Sequence, residues 1–466
     1  MQKHNMRTEK KSSIKNSATR LVLIALLVLI QTGWMVFLML KLNAYSTAIT
    51  LALTFIAVFI ALKIFGTHVN SAQRMPWLIV ITAVPFFGIC IYLLFGRSIV
   101  TKGMRRRFNG IESDILVNKL SQDETVIDEI AAKDKGIANQ CRYISHTARY
   151  PVYKNTDVEY YAEADISFAA QIEELKKAEH FIFMEYHAIE DALSFERLKK
   201  VLIEKAQSGV EVRIFYDDLG SIFFLNKEFI KRMREQGIQC RVFNPLKVVV
   251  NMFMNNRDHR KITVIDGRVG FTGGYNLADE YFNITHPYGY WKDTGIKLTG
   301  DAVRSLTASF LTMWNAIDHT DSQADYDKYL DAADNTYKAV DSECYVQPYS
   351  DNPLGQDRIG EDVYLNILKN AKDYVYITTP YLIITDEMER ELRLAVKRGV
   401  DVRIVTPGIP DKKMVYKITR SYYEPLCSAG VRIYEYTPGF CHAKQWVSDG
   451  EMSVVGTINM DFRSLY

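Results

Sequence analysis

The chain has 466 residues, with 57 Lys and Arg against 55 Asp and Glu and a formal net charge of +2. That balance excludes a strongly basic nucleic-acid module and an acidic disordered tail, and the length allows about three domains. Six cysteines (Cys90, Cys141, Cys240, Cys344, Cys427, Cys441) form no C-x-x-C pair, which argues against a disulfide-stapled secreted domain and a Cys-rich zinc site.

Apolar residues concentrate before residue 96. Leu21–Leu40 carries no charge and has about the 20 residues a helix needs to cross a bilayer core. Thr47–Leu62 and Pro76–Phe95 follow it. Three such runs in about 75 residues predict two or three membrane helices rather than core helices. The first is too long for the apolar part of a signal peptide and has no A-x-A site after it. Lys3, Arg7, Lys10, Lys11, Lys15 and Arg20 precede the first run, and Arg97, Lys102, Arg105, Arg106 and Arg107 follow the third. Both flanks therefore read as cytoplasmic, which requires an even number of crossings. Pro85 and Gly88 interrupt the third run and would let it enter and leave by one face. The expected organisation is a membrane anchor over 1–97, a mostly helical linker over 98–150, and two lobes over 151–335 and 336–466.

The two lobes read as copies. The first has KKAEHFIFMEY, a helix, SGVEVRIFYDD, a helix, then QGIQCRVFNP; the second has KNAKDYVYITTPY, a helix, RGVDVRIVTPG, a helix, then AGVRIYEYTP. β-Branched and aromatic strands alternating with amphipathic helices predict βαβ crossovers. The fold class expected is α/β, two lobes about a pseudo-two-fold axis with mostly parallel mixed sheets flanked by helices. A site on that axis would take one set of residues from each copy.

The chemistry recurs at one position in both copies. His259, Lys261 and Asp266 form H-x-K-x4-D, and so do His442, Lys444 and Asp449. Seven residues after each Asp stands a glycine, opening Gly273-Gly-Tyr-Asn276 and Gly456-Thr-Ile-Asn459. His and Lys two apart on a strand share a face, whereas an Asp five further on has the opposite parity, so it belongs at the following turn, Asp266-Gly267 or Asp449-Gly450. Two His, two Lys and two Asn around one point suit phosphoryl chemistry: fixed cationic and amide donors stabilise a phosphodiester under attack, while one imidazole attacks and the other protonates the leaving alkoxide. Zinc is the rival for two His, but Lys is not a normal zinc ligand, and there is no H-E-x-x-H and no Gly-rich phosphate loop. His4, His68, His146, His180, His286 and His319 read as ordinary core or surface residues. His187, at a strand end, could line the pocket.

The paired motifs resemble the phospholipase D superfamily, and within it bacterial cardiolipin synthases. The likeness runs from about residue 50 onward and includes Leu94-Phe-Gly-Arg97, Asn256-Arg-Asp-His259-Arg-Lys-Ile, Tyr290-Trp-Lys-Asp293-Thr and Pro438-Gly-Phe-Cys-His442-Ala-Lys444. It implies a transfer between two phosphatidylglycerols giving cardiolipin and glycerol, with no cofactor and no metal. It further implies His259 as nucleophile, His442 as general acid/base, and Lys261 and Lys444 beside them. Asn276, Asn459, Gly274 and Thr457 would bind the phosphate, and Asp266 and Asp449 would support the motifs. The implied setting is the bacterial cell membrane, multi-pass, with the lobes on the cytoplasmic side and phosphatidylglycerol and cardiolipin as partners. Neither nucleic acid nor a protein partner is indicated. Phospholipase D-type hydrolysis and phosphatidyl transfer to another alcohol are the alternative reactions. The apolar Val248–Met254 is expected to dip into the interface or to lie buried beside the site. After the second motif the repeat predicts a further strand and helix at about 474–500, so the chain reads as an abbreviated copy or the front of a longer one.

Overall fold

The computed structural model describes residues 46–66, 71–93, 102–225, 227–245, 257–318, 324–330, 337–340, 344–351 and 358–465, with isolated positions between 26 and 37. The first apolar run lies mostly outside these residues, and Leu94–Arg97, Val248–Met254 and Asn256 lie wholly outside them. The chain divides into two compact units: Met1–Thr101 with Pro245–Asn256, and Lys102–Asn244 with Arg257–Tyr466.

In the first unit the second apolar run lies in α1 (Ser46–Phe65), and the third is split between α2 (Ser71–Ala83) and α3 (Pro85–Ile91). The break falls at Val84, where the following proline has no N–H to extend the ladder. Gly88 passes directly over the Val80 carbonyl, a Cβ there being 2.5 Å away, so the two helices meet at their backbones. Ala57, Ile64, Ile81 and Ile89 form the small core. Leu51, Phe55, Phe59, Leu62 and Phe65 of α1 are exposed. Among the described residues no helix is long and apolar enough to cross a membrane.

The second unit opens with α4 (Lys102–Glu112), α5 (Glu124–Lys133) and α6 (Lys135–Tyr143). Asp123 and Asp134 cap the last two by accepting backbone N–H bonds, from Thr125 at 3.0 Å and from Gly136 and Ile137 at 2.7 and 3.0 Å. This helical stretch packs against both lobes: Arg304 donates to the Lys119 carbonyl at 3.2 Å, and Gln140 reaches the Met452 sulfur at 3.2 Å.

Lobe 1 is built on β1 (Thr156–Tyr161), β2 (Phe181–Tyr186), β3 (Glu211–Asp217), β4 (Gln239–Phe243), β5 (Lys261–Ile265), β6 (Val269–Gly273) and β8 (Gly295–Gly300), with the short β7 (Tyr290–Lys292) outside its sheet. The order is β1-β8-β6-β5-β2-β3-β4. Lobe 2 has β9 (Tyr374–Thr378), β10 (Asp401–Pro407), β11 (Arg432–Tyr436), β13 (Gln445–Ser448) and β14 (Met452–Val455), in the order β11-β10-β9-β13-β14. The expected duplication is present, but the sheets are mixed rather than mostly parallel. Within the two lobe sheets parallel pairing is confined to β2-β3-β4 and β9-β10-β11, the strands joined by helical crossovers. Each motif instead opens an antiparallel hairpin, β5-β6 or β13-β14, laid antiparallel against β2 or β9. Alternation of strands and helices could not register those hairpins.

The turns explain the hairpins. Asp266-Gly267 has φ of 52° and 68°, and Asp449-Gly450 has φ of 55° and 69°. Positive φ at both central residues makes a type I′ turn, whose twist matches paired strands and which Asp-Gly adopts readily. A two-stranded ribbon joins the lobes: β12 (Gly439–Cys441) runs parallel to β7, pairing Gly439 with Tyr290 and Cys441 with Lys292.

Candidate active site

Each motif sits at the mouth of its lobe, where β5 and β13 begin. The two lysines are buried, about 1% exposed, and each folds back over its own motif: Lys261 Nζ donates to the His259 carbonyl at 2.6 Å, and Lys444 Nζ donates to the His442 carbonyl. The ammonium groups are thereby fixed beside the imidazoles, and water is excluded around them.

Each histidine is oriented by the opposite lobe. His259 of lobe 1 directs Nδ1 to the carbonyl of Thr457 in lobe 2, 3.0 Å away. His442 of lobe 2 directs Nδ1 to the carboxylate of Asp293 in lobe 1, 2.7 Å away. A carbonyl and a carboxylate can only accept, so in both rings Nδ1 carries the hydrogen and Nε2 offers its lone pair. The ribbon delivers Asp293: His442 N donates to Lys292 O at 2.7 Å, which sets the next residue of each strand against the other. Gly274 lies so close behind Asp293 that any Cβ there would collide with the carboxylate. Trp291, Tyr281 and Phe440 pack around the His442 ring with centroids 5.3, 5.4 and 5.8 Å away.

The electrostatics follow from burial and crowding of cations. Burial, then Lys261, His187, Lys444 and His442, push His259 well below its ordinary value. Burial and Lys444 push His442 down to about 4 despite the opposing pull of Asp293. Burial would raise Asp293, but the charges of His442 and Lys444 override it and hold the carboxyl below its usual range. Burial lowers Lys444 to about 8, and burial with Lys444 lowers Lys261. The site thus holds an excess of positive charge that an anion would relieve. The crossed hydrogen bonds, His259 to Thr457 and His442 to Asp293, draw the two motifs together across the lobes.

The remaining sequence-predicted residues divide. Asn276 is 2% exposed; its Oδ1 accepts from Ala188 N at 3.1 Å and its Nδ2 donates to the Tyr281 hydroxyl at 2.8 Å, so one amide supports both a backbone turn and the ring beside His442. Asn459 is 5% exposed, donates to Asp461 at 3.2 Å, and keeps a buried Oδ1 with no hydrogen-bond partner among the described residues. Thr457 contributes its carbonyl. His187 stands next to His259: its ring lies 5.1 Å from that of His259, and its Nδ1 meets the Asp258 carbonyl at 2.7 Å.

Asp266 and Asp449 are set apart from the reacting centre, at the hairpin turns that their parity demanded. Asp266 accepts from the N–H groups of Glu179, His180 and Phe181 at 2.7–2.8 Å, and Asp449 from Lys372, Asp373 and Tyr374 at 2.8–2.9 Å. Each ties its hairpin to the start of the neighbouring strand, a supporting position rather than one beside the imidazoles. Three features carry no sequence signal of their own. Asp293 has its partner 149 positions away. Tyr281 is recruited through Asn276. Under β5 lies a buried ion network, in which Arg260 meets Glu185 at 2.7 Å and Asp258 at 3.1 Å, and Arg257 meets Asp217 at 3.5 Å. Among the described residues no cluster of His, Cys, Asp and Glu could hold a metal.

The chain is similar to known proteins over most of its length. The model of the family described as "Cardiolipin synthase, PLD-like domain" matches residues 171–314 and 364–466, and that of "Phospholipase_D-nuclease N-terminal" matches 52–97. An uncharacterized protein of Streptococcus mutans serotype c is 40% identical over 87% of this chain and 86% of its own length. A protein of Halalkalibacterium halodurans named cardiolipin synthase is 32% identical over 93% of this chain and 83% of its own length. Among solved structures, a phosphatidylserine synthase of Haemophilus influenzae Rd KW20 covers 66% of this chain and 79% of its own, with 15% identity and a TM-score of 0.46.

Proposed function

Because the chain belongs to the phospholipase D-like family of cardiolipin synthases, we propose that it joins two phosphatidylglycerols into cardiolipin and glycerol through a phosphatidyl-histidine. The observation that carries this reading is the crossed support of the two imidazoles: a carbonyl behind His259 and a carboxylate behind His442.

His259 is neutral at pH 7, with its Nε2 lone pair free to attack phosphorus. The P–O bond to the glycerol headgroup breaks, and His442 Nε2 gives that oxygen its proton. The phosphodiester anion between Lys261 and Lys444 offsets their charge, so His442 can be protonated once substrate is bound, with Asp293 as counter-charge. A carbonyl serves the nucleophile and a carboxylate serves the acid, because only the second ring must carry a full positive charge. His442 then takes the proton of the second phosphatidylglycerol's hydroxyl, which attacks phosphorus and releases His259. One phosphodiester bond is broken and one made, so the reaction needs no external energy source or cofactor. Lys261 and Lys444 stabilise the charge that grows on the equatorial oxygens.

The membrane setting is part of the proposal. A diacyl substrate leaves a bilayer at a cost of about 0.8 kcal/mol per CH₂, so the enzyme meets it there. The exposed Leu51, Phe55, Phe59, Leu62 and Phe65 of α1 favour a lipid environment for the N-terminal unit, and the basic flanks favour the cytoplasmic side. Reconstitution in phosphatidylglycerol bilayers, with release of glycerol and formation of cardiolipin followed together, tests the reaction. Equal yields of the two are expected; phosphatidic acid as the only lipid product rejects transfer in favour of hydrolysis.

A further inference from the structure

Beside the site, lobe 2 turns outward a surface that the reaction does not use. The turn after β10 leads into the helix Lys413–Ser421, with sequence KMVYKITRS. Its inner side buries Thr419 and half-buries Val415 and Tyr416. Its outer side exposes Met414 (69%) and Ile418 (46%), four residues apart and therefore adjacent on one face. Lys412, Lys413, Lys417 and Arg420 are all exposed around them, and among the described residues no ion pair reaches Lys413 or Lys417. Ile409, in the turn itself, is 40% exposed. A large apolar side chain pair in water, ringed by cations, is costly for a face that touches only solvent.

The placement is functional. Asp411 in this turn accepts from the Tyr381 hydroxyl at 2.6 Å and acts electrostatically on Lys444 and Tyr281, so the turn borders the pocket. In lobe 1 the corresponding turn, after β3, exposes Phe223 at 48%. That turn also borders the pocket, since Gly220 packs against the His187 ring. Both copies thus end the same crossover on an exposed apolar side chain beside the site.

We propose that Lys412–Ser421, assisted by Phe223, is a docking element for an anionic phospholipid surface. Met414 and Ile418 enter the acyl boundary while the lysines and Arg420 lie among the headgroups, the arrangement by which amphipathic basic helices bind membranes. Docked in this way, the helix holds the mouth of the pocket against the bilayer, and a lipid headgroup reaches the lysines without its chains crossing water. The choice of lipid over an acidic protein surface rests on apolar side chains and unneutralised cations occurring on one face. Only the activity arm of the test below rests on the proposed reaction.

Two measurements on the full chain test it. In the first, Met414→Trp is reconstituted in equimolar vesicles of phosphatidylglycerol and dibrominated phosphatidylcholine. Its fluorescence, after subtraction of the parent's, should be quenched by half or more, and the quenching should weaken when phosphatidylglycerol is replaced by phosphatidylcholine. In the second, Met414→Asp/Ile418→Asp should lose about tenfold in turnover of bilayer phosphatidylglycerol at low surface fraction. The same variant should stay within about twofold of the parent on monomeric dibutanoyl phosphatidylglycerol, because the catalytic groups are untouched. Absence of quenching would hand the face to an acidic protein surface and overturn the proposal, as would equal losses on both substrates. Quenching in a chain that makes no cardiolipin would leave docking standing and remove the proposed reaction instead.

Discussion

Strand β2 of lobe 1 is buried at all six positions, whereas its counterpart β9 in lobe 2 buries only Val375 and Ile377 and leaves Tyr376 exposed. The same holds for the motif strands: β5 is buried throughout, and β13 alternates. In lobe 1 the helix Val303–Ile317, buried along nearly its whole length, packs across β2, β4, β5 and β6, stacking Phe310 on Phe183 with centroids 4.6 Å apart. In lobe 2 the described residues cover the corresponding face with their own side chains: Tyr374 packs on Tyr376 at 4.5 Å, and Arg403 lies over the Tyr376 ring at 4.8 Å. Yet both motifs present His and Lys in the same way, with each ammonium on its own histidine's carbonyl. The hairpin and its Asp-Gly turn thus recur with the motif in both lobes, while its surroundings differ.

The tuning differs in charge. Beneath His259, Arg260 and Glu185 form a buried pair; at the positions one residue after His442 and 193 after Glu185, lobe 2 has Ala443 and Thr378. Beside His442 stands a carboxylate, and beside His259 a carbonyl. If that asymmetry sets the division of labour, the two histidines must fail differently. His259→Ala should lose about 10⁴-fold or more in turnover and form no covalent phosphatidyl-enzyme in rapid-quench experiments. His442→Ala should lose a comparable amount on phosphatidylglycerol, yet recover about 10²-fold or more on a phosphatidyl ester of p-nitrophenol, whose leaving group needs no proton. Rescue of both variants, or of neither, would erase the distinction.

The carboxylate is the next lever. Asp293→Asn leaves the ring beside a group that can donate as well as accept, so the Nδ1–H tautomer is no longer enforced. A loss of about 10²–10⁴-fold in kcat is expected, with KM little changed, and steady-state kinetics in mixed micelles will show it. A similar loss should accompany Gly274→Ala, because a methyl group there must displace the carboxylate.

The lysines sharpen the comparison through pH. In the free site His259 must be neutral while His442 must take up the proton it gives to the leaving oxygen; His442 sits at about 4, so kcat/KM should decline as pH rises above that value. It should fall more steeply as Lys444, at about 8, loses its own proton. Lys444→Arg cannot deprotonate in this range and should abolish the steeper limb even though its altered geometry lowers kcat/KM by about tenfold or more. An unchanged limb would assign it to Lys261 or another group.

Much of this was legible before any coordinates. The H-x-K spacing implied a shared face, the parity of Asp266 and Asp449 implied turns, and β-branched runs between helices implied crossovers. These are local or periodic signals, which a sequence carries openly. What escaped was non-local. Antiparallel hairpins replaced an expected parallel order because pairing partners are chosen in three dimensions. Asp293 stands in Tyr290–Thr294 with no local pattern to mark its role, because that role depends on a ribbon formed with residues 149 positions on. The fold buries Arg257 against Asp217 and Arg260 against Glu185, partners that no local pattern announces.

The turn aspartates should give the smallest effect, and the most nearly equal one in the two lobes. Asp449→Asn keeps the tolerance for positive φ but replaces a charged acceptor of three N–H groups with a neutral one, and should cost about 1 kcal/mol in thermal unfolding of the detergent-solubilised chain. Burial raises the Asp449 carboxyl, but the N–H groups of Tyr374, Lys372 and Asp373 outweigh it and hold the group below 3.8, its ordinary value. A carboxyl lowered by folding stabilises fully above its unfolded value, and that contribution is lost as pH falls through the folded one. The parent should therefore lose this increment below about pH 4, and Asp449→Asn should not. Turnover per folded molecule should stay within about threefold of the parent, since the carboxylate touches backbone and not the pocket. A large drop in turnover without loss of stability would return Asp449 to the catalytic group from which its geometry removes it.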